Sequence, residues 1–418
     1  MFKGKDLNIG HQDKCQSCES DRLELVMDLG HHAPCDSLLA LDELQTLEVT
    51  YPLTLVYCLA CFLVQINYVV PPEELFPKSY PYRSGITKSL VRKLQSTAES
   101  VNGIFPFQKN DLVVDIGSND GTLLSGFKKL GARVLGIEPS DIALIAQENG
   151  IETLQAFFSE LIAEKISSEY GQARVVTATN VFAHMPTIQT FMLGIKKIIE
   201  PEGVFVSESH YLRDILEGNQ FDSIYHEHRR FYSLHSAKSM LESYGFKVVD
   251  VEFLDNYGGS IRIYAKLASS AAEISPIVQN TLDNEKGSGI LNAKNILSFA
   301  DRSFNLKLEL RKLLVSLQDQ GKKVVGVGCP GRASTLLNYS GIDTSLMPYI
   351  AEQSTSLKIG LFLPGIHTPI VDEKLMFDEQ PDYALLLSWH YSGDIIKNLR
   401  QKGLRSRIIL PLPNIAID

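Results

Sequence analysis

Positive charge is in short supply. The 418 residues carry 40 Lys and Arg against 49 Asp and Glu, a formal net charge of -9 with a pI near 5.6. A chain built to hold a polyanion shows a basic field, and none is present, so nucleic acid is not an expected partner. Net charge describes the whole surface only, and a local groove can still seat one phosphorylated small molecule. Long apolar runs are missing too. The most apolar stretch, Leu55 to Val70, is interrupted by Gln65 and Asn67 and is too short to span a bilayer, so no membrane partner is expected either. The opening MFKGKDLNIGHQDK lacks the apolar core of a secretory signal, which makes the bacterial cytoplasm the expected location. Cysteine is sparse: six in 418 residues do not make a disulfide scaffold.

What is present is an ordinary globular composition, 44% hydrophobic with 29 Gly and 18 Pro, which excludes disorder and collagen-like repeats. At roughly 100–200 residues per domain, the length calls for two to four domains. Five of the six cysteines lie in the first 61 residues, among short β-type runs such as LELVMDL and TYPLTLVYC. Next come a loop, FPKSYPYRSG, and a helix from Thr87 to about Asn102. From Leu112 the apolar runs LVVDIG, RVLGIE, ARVVTATN and GVFVSES alternate with helical segments, which signals βαβ units and a parallel sheet. YGFKVVDVEFL and GGSIRIYAKL read as later, partly antiparallel strands. A polar helical stretch from about Ala272 to Gln320 connects to a second α/β unit that begins at KKVVGVGCPGRAS. The expected architecture is α/β in three parts: a small cysteine-bearing module over 1–75, an α/β unit with its opening loop and helix over 76–271, and linker helices with a second α/β unit over 272–418.

Four motifs carry chemistry. Cys15-x2-Cys18 and Cys58-x2-Cys61 offer four thiolates, a set suited to tetrahedral Zn²⁺ with bonds of about 2.3 Å. The 39 residues between the pairs exceed usual zinc-ribbon spacing but leave room for a small sheet. A redox CxxC or plain buried cysteines are the rival readings. Four protein ligands close the shell, so the metal is expected to be structural, with Cys35 a spare core thiol.

The second motif, Val113 to Gly121 (VVDIGSNDG), ends a strand and opens a helix. Glycine there lets a ligand approach the backbone, and the helix N-terminus offers N–H donors. A dinucleotide fingerprint reads GxGxxG; the polar Asn119 and Asp120 suit a zwitterionic amino-acid moiety better. The next strand ends in Glu138, 21 residues after Gly117, where a carboxylate can accept both ribose hydroxyls of an adenosine. Together these resemble the S-adenosylmethionine site of a Rossmann-like methyltransferase; the bland alternative is a structural turn plus a surface acid. Asn180 to His184 (NVFAH) follows another strand, where such enzymes face cofactor and substrate. Asp115, Gly117, Ser118, Asn119, Asp120, Glu138, Pro139, Asn180 and Phe182 are the expected cofactor contacts.

The third motif, Tyr225-His226-Glu227-His228, sets three titratable groups beside a phenol: candidates for general base, orienter and oxyanion donor. It is not HExxH, so a zincin site is not expected. Neighbours in sequence cannot all enter one cavity, and at least one should face away. Alone, such a segment is more often structural. The fourth, Gly326 to Thr335 (GVGCPGRAST), runs a strand into a glycine-rich turn and a helix, a possible anion cradle with Arg332 as a fork for phosphate. It fits neither the P-loop nor GxGxxG, and a tight packing turn is the competing reading.

In this order, paired CxxC, DIGSNDGTLL, IEPS, NVFAH, YHEH, GGSIR and GxGxPGRA, the chain resembles the sugar C-methyltransferases of nucleotide-deoxysugar pathways from about Cys15 to its end. The resemblance implies a zinc-binding N-terminal domain, a central class I (Rossmann-like) methyltransferase domain and a C-terminal Rossmann-like α/β domain. It also implies S-adenosylmethionine, structural Zn²⁺, a dTDP-linked 4-keto-deoxysugar methylated usually at C3 and in some members at C5, and a monomer or weak homo-oligomer. The family's catalytic segment falls on Tyr225, Glu227 and His228, with His184 and either Tyr80 or Tyr82. Substrate contacts are expected at Tyr82, His226, Asn256, Arg332, Ser334 and His390. The run Gly30 to Cys35 (GHHAPC) departs from the family in its histidines, which leaves local substrate contacts open.

The chemistry closes on its own terms. A C4 ketone acidifies the neighbouring C–H, and His228, tuned by Glu227, is placed to take that proton as a neutral imidazole. Tyr225, His184 or a loop tyrosine would donate to the developing enolate oxygen. The alternatives are an O- or N-methyltransferase, which needs no enolising site, a zinc-ribbon methyltransferase on RNA, which the acidic pI disfavours, and a non-enzymatic binding module, which leaves the cofactor motif unexplained.

Overall fold

The computed structural model describes residues 9–78, 83–86 and 88–418. Three sheets position the site. The central one has seven strands, in the order Phe246–Leu254, Ser260–Leu267, Ile199–His210, Ala173–Thr179, Leu112–Ile116, Arg133–Ile137, Thr153–Leu154. The last five run parallel, and Ser260–Leu267 pairs antiparallel with both of its neighbours. Leu112–Ile116 is buried at every position, because helices cover both faces and leave no solvent side for alternation. The next two strands, Arg133–Ile137 and Thr153–Leu154, are laid on one side of it and Ala173–Thr179 on the other, which makes its carboxyl end a topological switch point and the natural place for a ligand crevice.

The second α/β sheet repeats that device. Val324–Val327 pairs with Ile350–Glu352 on one side and Tyr383–Leu386 on the other, all parallel, so its carboxyl end at Gly328 is again a switch point. Gly328 has φ +75 and its Cα faces the Ser388 side chain, which a Cβ would strike. Two helices, Pro276–Ser288 and Ala293–Asp319, join the two units.

The third sheet is antiparallel, with order Arg230–Phe231, Val64–Ile66, Tyr51–Cys58, Leu23–His32. Its first strand follows YHEH with one residue between, so the cysteine-bearing module and the central α/β unit share a sheet rather than sitting side by side. The cores interlock likewise. Cys15, Cys58 and Cys61 pack into the central-sheet core, while Val26, Leu53 and Leu55 pack with Leu336 and Ile350 of the C-terminal unit. Among the described residues no helix is long and apolar enough to cross a membrane.

Candidate active site

The four knuckle cysteines converge. The Sγ atoms of Cys15, Cys18, Cys58 and Cys61 all lie within 4.8 Å of one another, with Cys15 to Cys61 at 3.5 Å and Cys18 to Cys58 at 3.6 Å. Thiolates about 2.3 Å from a tetrahedral zinc stand just under 4 Å apart, so the spacing fits the ion. The acid–base chemistry fits as well. A hydrogen bond from the Cys61 thiol pulls Cys15 down to about 5, while burial pushes Cys18 up to about 11 and the Cys15 partner drives Cys61 up. Metal ligation takes thiolates, and a cation at the centre of the cluster would stabilise them.

One cavity of about 640 Å³ joins the carboxyl ends of both parallel sheets. On the central sheet's side it is lined by Asp115, Gly117, Ser118, Asn119, Glu138 and Pro139, with Asn180 and Val181 from the next strand. Gly117 holds φ +73 against the Val181 side chain, leaving no room for a Cβ. Ser118 Oγ is buried without a protein partner, and burial pushes the Asp115 carboxyl up to about 7 against a 2.6 Å hydrogen bond from Thr177 Oγ1. Glu138 receives Asn119 N–H on Oε2 at 3.1 Å, and on Oε1 both Ser140 N–H at 2.9 Å and Ser140 Oγ–H at 2.6 Å. A carboxylate has about four lone-pair sites. Three are filled, so Glu138 keeps room for one ribose hydroxyl rather than two. These donors and acceptors suit S-adenosylmethionine: an orphan hydroxyl, a fixed carboxylate and a glycine turn at the switch point.

Two expected cofactor contacts lie elsewhere. Asp120 turns to the preceding loop, where its Oδ2 accepts Gly85 N–H at 2.7 Å and its Oδ1 accepts Thr122 Oγ–H at 2.6 Å. Phe182 is 1% exposed and stacks on Tyr232 in the core, centroids 5.2 Å apart. The backbone and hydroxyl donors of the loop hold Asp120, and an aromatic ring next to a sheet is drawn inward by the area it buries.

Across the cavity three imidazoles meet. His228 lies 4.9 Å from His184 and 4.8 Å from His210 between ring centroids, and Tyr225 lies against its face at 3.9 Å. Nδ1 of His228 is 2.7 Å from the carbonyl oxygen of Ser223, which can only accept, so Nδ1 carries the proton and Nε2 the lone pair. Burial pushes His228 well below the usual imidazole range, with the His210 and His184 rings and Arg332 adding to the effect. Burial likewise brings His184 down to about 3 and lowers His210 and His390 well below that range. All four rings are therefore neutral near pH 7. Burial also drives the Tyr225 phenol well above its usual value, keeping it a donor.

Glu227 lines the cavity, yet the nitrogen it was expected to tune is held by the Ser223 carbonyl instead. Its Oε1 receives the Cys35 thiol at 3.5 Å, so the buried Cys35 backs Glu227 from the core. His226 faces away: its Nε2 donates to Pro52 O at 3.1 Å and burial pushes it down to about 4. It belongs to the module interface: Tyr225 to His228 close a turn, with His228 N–H donating to Tyr225 O at 2.9 Å, and the turn puts His226 on the outer side. Tyr80 and Tyr82 lie outside the described residues.

Arg332 and His390 enter from the C-terminal unit. The Arg332 side chain is buried, with NH2 donating to Tyr257 O at 3.1 Å, NH1 3.8 Å from Asp222 Oδ2, and the guanidinium over the Trp389 ring. Asn256 and Ser334 do not line the cavity. Asn256 donates to Glu208 at 3.2 Å within the buried Glu208–Arg262 pair, and Ser334 bonds Asn338 inside its own helix. Sequence reasoning missed His210, Tyr257 and Tyr391, all on the cavity wall. The signal for His210 was available, since it ends the strand Ile199–His210 at the ligand-binding edge of a parallel sheet.

Residues 15–76 match a family described as a zinc binding domain, residues 90–251 a methyltransferase domain, and residues 255–413 the C-methyltransferase C-terminal domain. The chain is 34% identical over 405 residues to the C-methyltransferase NovU of Streptomyces niveus, covering 96% of each. It is 31% identical over 121 residues to the ubiquinone biosynthesis O-methyltransferase of Escherichia coli O157:H7, covering 28% of this chain and 48% of that one. Among solved structures, magnesium protoporphyrin IX methyltransferase from Synechocystis PCC 6803 superposes with a TM-score of 0.32 at 16% identity, over 43% of this chain and 84% of that one.

Proposed function

Because the chain belongs to the C-methyltransferases built from a zinc-binding, a methyltransferase and a C-methyltransferase C-terminal domain, we propose that it methylates C3 of a dTDP-linked 4-keto-deoxysugar in branched-chain sugar biosynthesis. It is an S-adenosylmethionine-dependent enzyme, and the cytoplasm, where nucleotide sugars are made, is where it acts. The observation that carries the reading is the imidazole of His228, held in one tautomer in the same cavity as the Asp115–Gly121 turn. When bound, the cofactor supplies an electrophilic methyl group on a sulfonium. The chain's own work is to make a carbon nucleophile and keep water out. Nε2 of His228 takes the proton α to the C4 ketone, which leaves an enolate, and Tyr225 or His184 donates to its oxygen. An O- or N-methyltransferase needs none of this, since its nucleophile carries its own lone pair.

Asp115, Gly117, Ser118, Asn119, Glu138, Pro139 and Asn180 hold the cofactor in this reading, and Arg332 and His390 face the sugar nucleotide. The test is activity against a panel of dTDP-4-keto-deoxysugars, with products read by mass and NMR. A new methyl on C3 supports the proposal. A methyl on oxygen or nitrogen, or on C5, sends it to another reaction or another carbon.

A further inference from the structure

Among the cavity groups that the chemistry above leaves unused, His210 stands out. It ends the strand next to the one that leads to His184, so both histidines rise from adjacent carboxyl ends of the parallel sheet. Tyr257 lies 5.8 Å from its ring, and Arg332 is close enough to depress its basicity. Among the described residues no side chain or backbone group bonds its ring nitrogens, and it lines the cavity, whereas Nδ1 of His226 and of His390 are buried without partners there. Its hydrogen-bonding capacity is therefore directed at whatever fills the cavity.

From this placement we infer that His210 is a catalytic residue, a further N–H donor to the C4 oxygen of the keto-sugar, beside Tyr225 or His184, as the enolate forms. The inference rests on the C-methylation reading above. In the step, the C3–H bond breaks and its proton goes to Nε2 of His228. The electron pair of that bond becomes the C3–C4 π bond, the carbonyl π pair moves onto oxygen, and His210 donates a hydrogen bond without losing its proton. Geometry favours this division of labour. A base must reach the C–H perpendicular to the carbonyl plane, where the breaking bond overlaps the π system, while a donor reaches the oxygen near that plane. The carbon and the oxygen are two bonds apart, so base and donor must be near neighbours approaching from crossed directions. The His228 and His210 rings are 4.8 Å apart and inclined at 87°. A neutral imidazole suits the donor role, because it stabilises the oxyanion without protonating it, as a preorganised dipole.

Three proteins decide the matter: the wild type, His210→Phe, which keeps the ring volume without a donor, and His210→Gln, which keeps an N–H. Each is incubated with a dTDP-4-keto-deoxysugar and S-adenosylhomocysteine in deuterated solvent for α-proton exchange, and with S-adenosylmethionine for kcat. Calorimetry of S-adenosylhomocysteine binding verifies that each variant is folded. Loss of one oxyanion donor costs about 10²–10³-fold, so His210→Phe should lose that much in both exchange and kcat, with His210→Gln at least tenfold better. Should His210→Phe fail to fold, His210→Leu replaces it in the same comparison. Equal rates for the Phe and Gln variants would show a packing role and overturn the inference. So would loss of exchange in His210→Gln as complete as in His228→Asn, which would make His210 a base. A wild type that acts on the panel with an unaffected His210→Phe removes His210 and leaves the C-methylation reading standing. A wild type that neither exchanges nor methylates any keto-sugar removes both.

Discussion

The Nδ1 atom of His228 sits 2.7 Å from the carbonyl oxygen of Ser223, while Nε2 of His226, two residues earlier, sits 3.1 Å from that of Pro52. The first bond leaves a lone pair in the cavity; the second turns its imidazole out of it. His228→Asn should therefore lose both solvent exchange of the α-proton and methylation, because an amide cannot accept the proton, and should still bind both ligands. His226→Asn should keep exchange within a few-fold and show its effect in thermal stability. Exchange abolished in His226→Asn and retained in His228→Asn would reverse the assignment.

The pH dependence follows from the same burial. A base whose pKa is lowered well below 6.5 becomes protonated only at more acidic pH, so it remains competent as pH falls through 6.5. Turnover at saturating cofactor should show no acid limb between pH 8 and 6.5. Saturation matters because Asp115, pushed up to about 7 by burial, loses its charge in that range and would alter occupancy instead. A single ionisation near 6.5 in the kcat profile would mean that the working base is a solvated histidine rather than His228.

Most of the fold was legible, because the strands around the switch points are short apolar runs whose ends carry glycine and polar residues. VVDIG, RVLGI and VVGVG all became strands of parallel sheets, ending at the cavity. The paired cysteines were legible for a similar reason, since thiolate spacing is a local constraint. Side-chain direction was not. Whether Asp120 faces a ligand or the preceding loop depends on Gly85 N–H, 35 residues away in sequence. The orienter of His228 is a backbone carbonyl, and a carbonyl leaves no mark on residue identity. The strand Arg230–Phe231, two residues long, is paired only because Val64–Ile66 lies alongside.

That short strand ties the metal to the chemistry. Arg230 pairs with Gln65 and Phe231 with Val64, two and three residues after His228, and Val64 and Gln65 lie seven residues or fewer from Cys58 and Cys61 in the same sheet. Freshly purified protein should hold one zinc per chain. Cys58→Ser should lower both the melting temperature and the zinc content, and the loss of activity should track the loss of structure. Metal analysis finding no zinc in protein never exposed to a chelator would contradict the site.

Glu138 has two jobs, and its substitution should reveal both. It holds Asn119 N–H and the Ser140 turn, it lines the cavity, and one lone-pair site is left for a ligand. Hydrogen bonds to a charged acceptor contribute about 1.5–3 kcal/mol, so Glu138→Ala should weaken S-adenosylmethionine binding at least tenfold by calorimetry. Glu138→Gln should lose less, since one oxygen survives as an acceptor. Unchanged affinity in Glu138→Ala would take the residue out of the cofactor site.

Arg332 offers the last and most layered test. Its guanidinium is buried between the Asp222 carboxylate, the Tyr257 carbonyl and the Trp389 ring, which fixes its fork at the cavity wall. Tyr257 holds φ +55, a left-handed backbone uncommon for a residue with a side chain, and it is this residue's carbonyl that Arg332 engages. In the proposed function the arginine faces the sugar nucleotide, so Arg332→Ala should raise KM for that substrate while S-adenosylhomocysteine affinity stays within a few-fold. Its charge also lowers the basicity of His210, His228 and His390. Removing that charge raises their pKa values, so the acid limb of turnover should move to higher pH. Arg332→Lys keeps a cation but not the planar fork. It should leave the acid limb near its wild-type position and still bind the nucleotide less well. An unchanged KM with a shifted limb would leave Arg332 an electrostatic neighbour of the histidines and take it out of substrate binding.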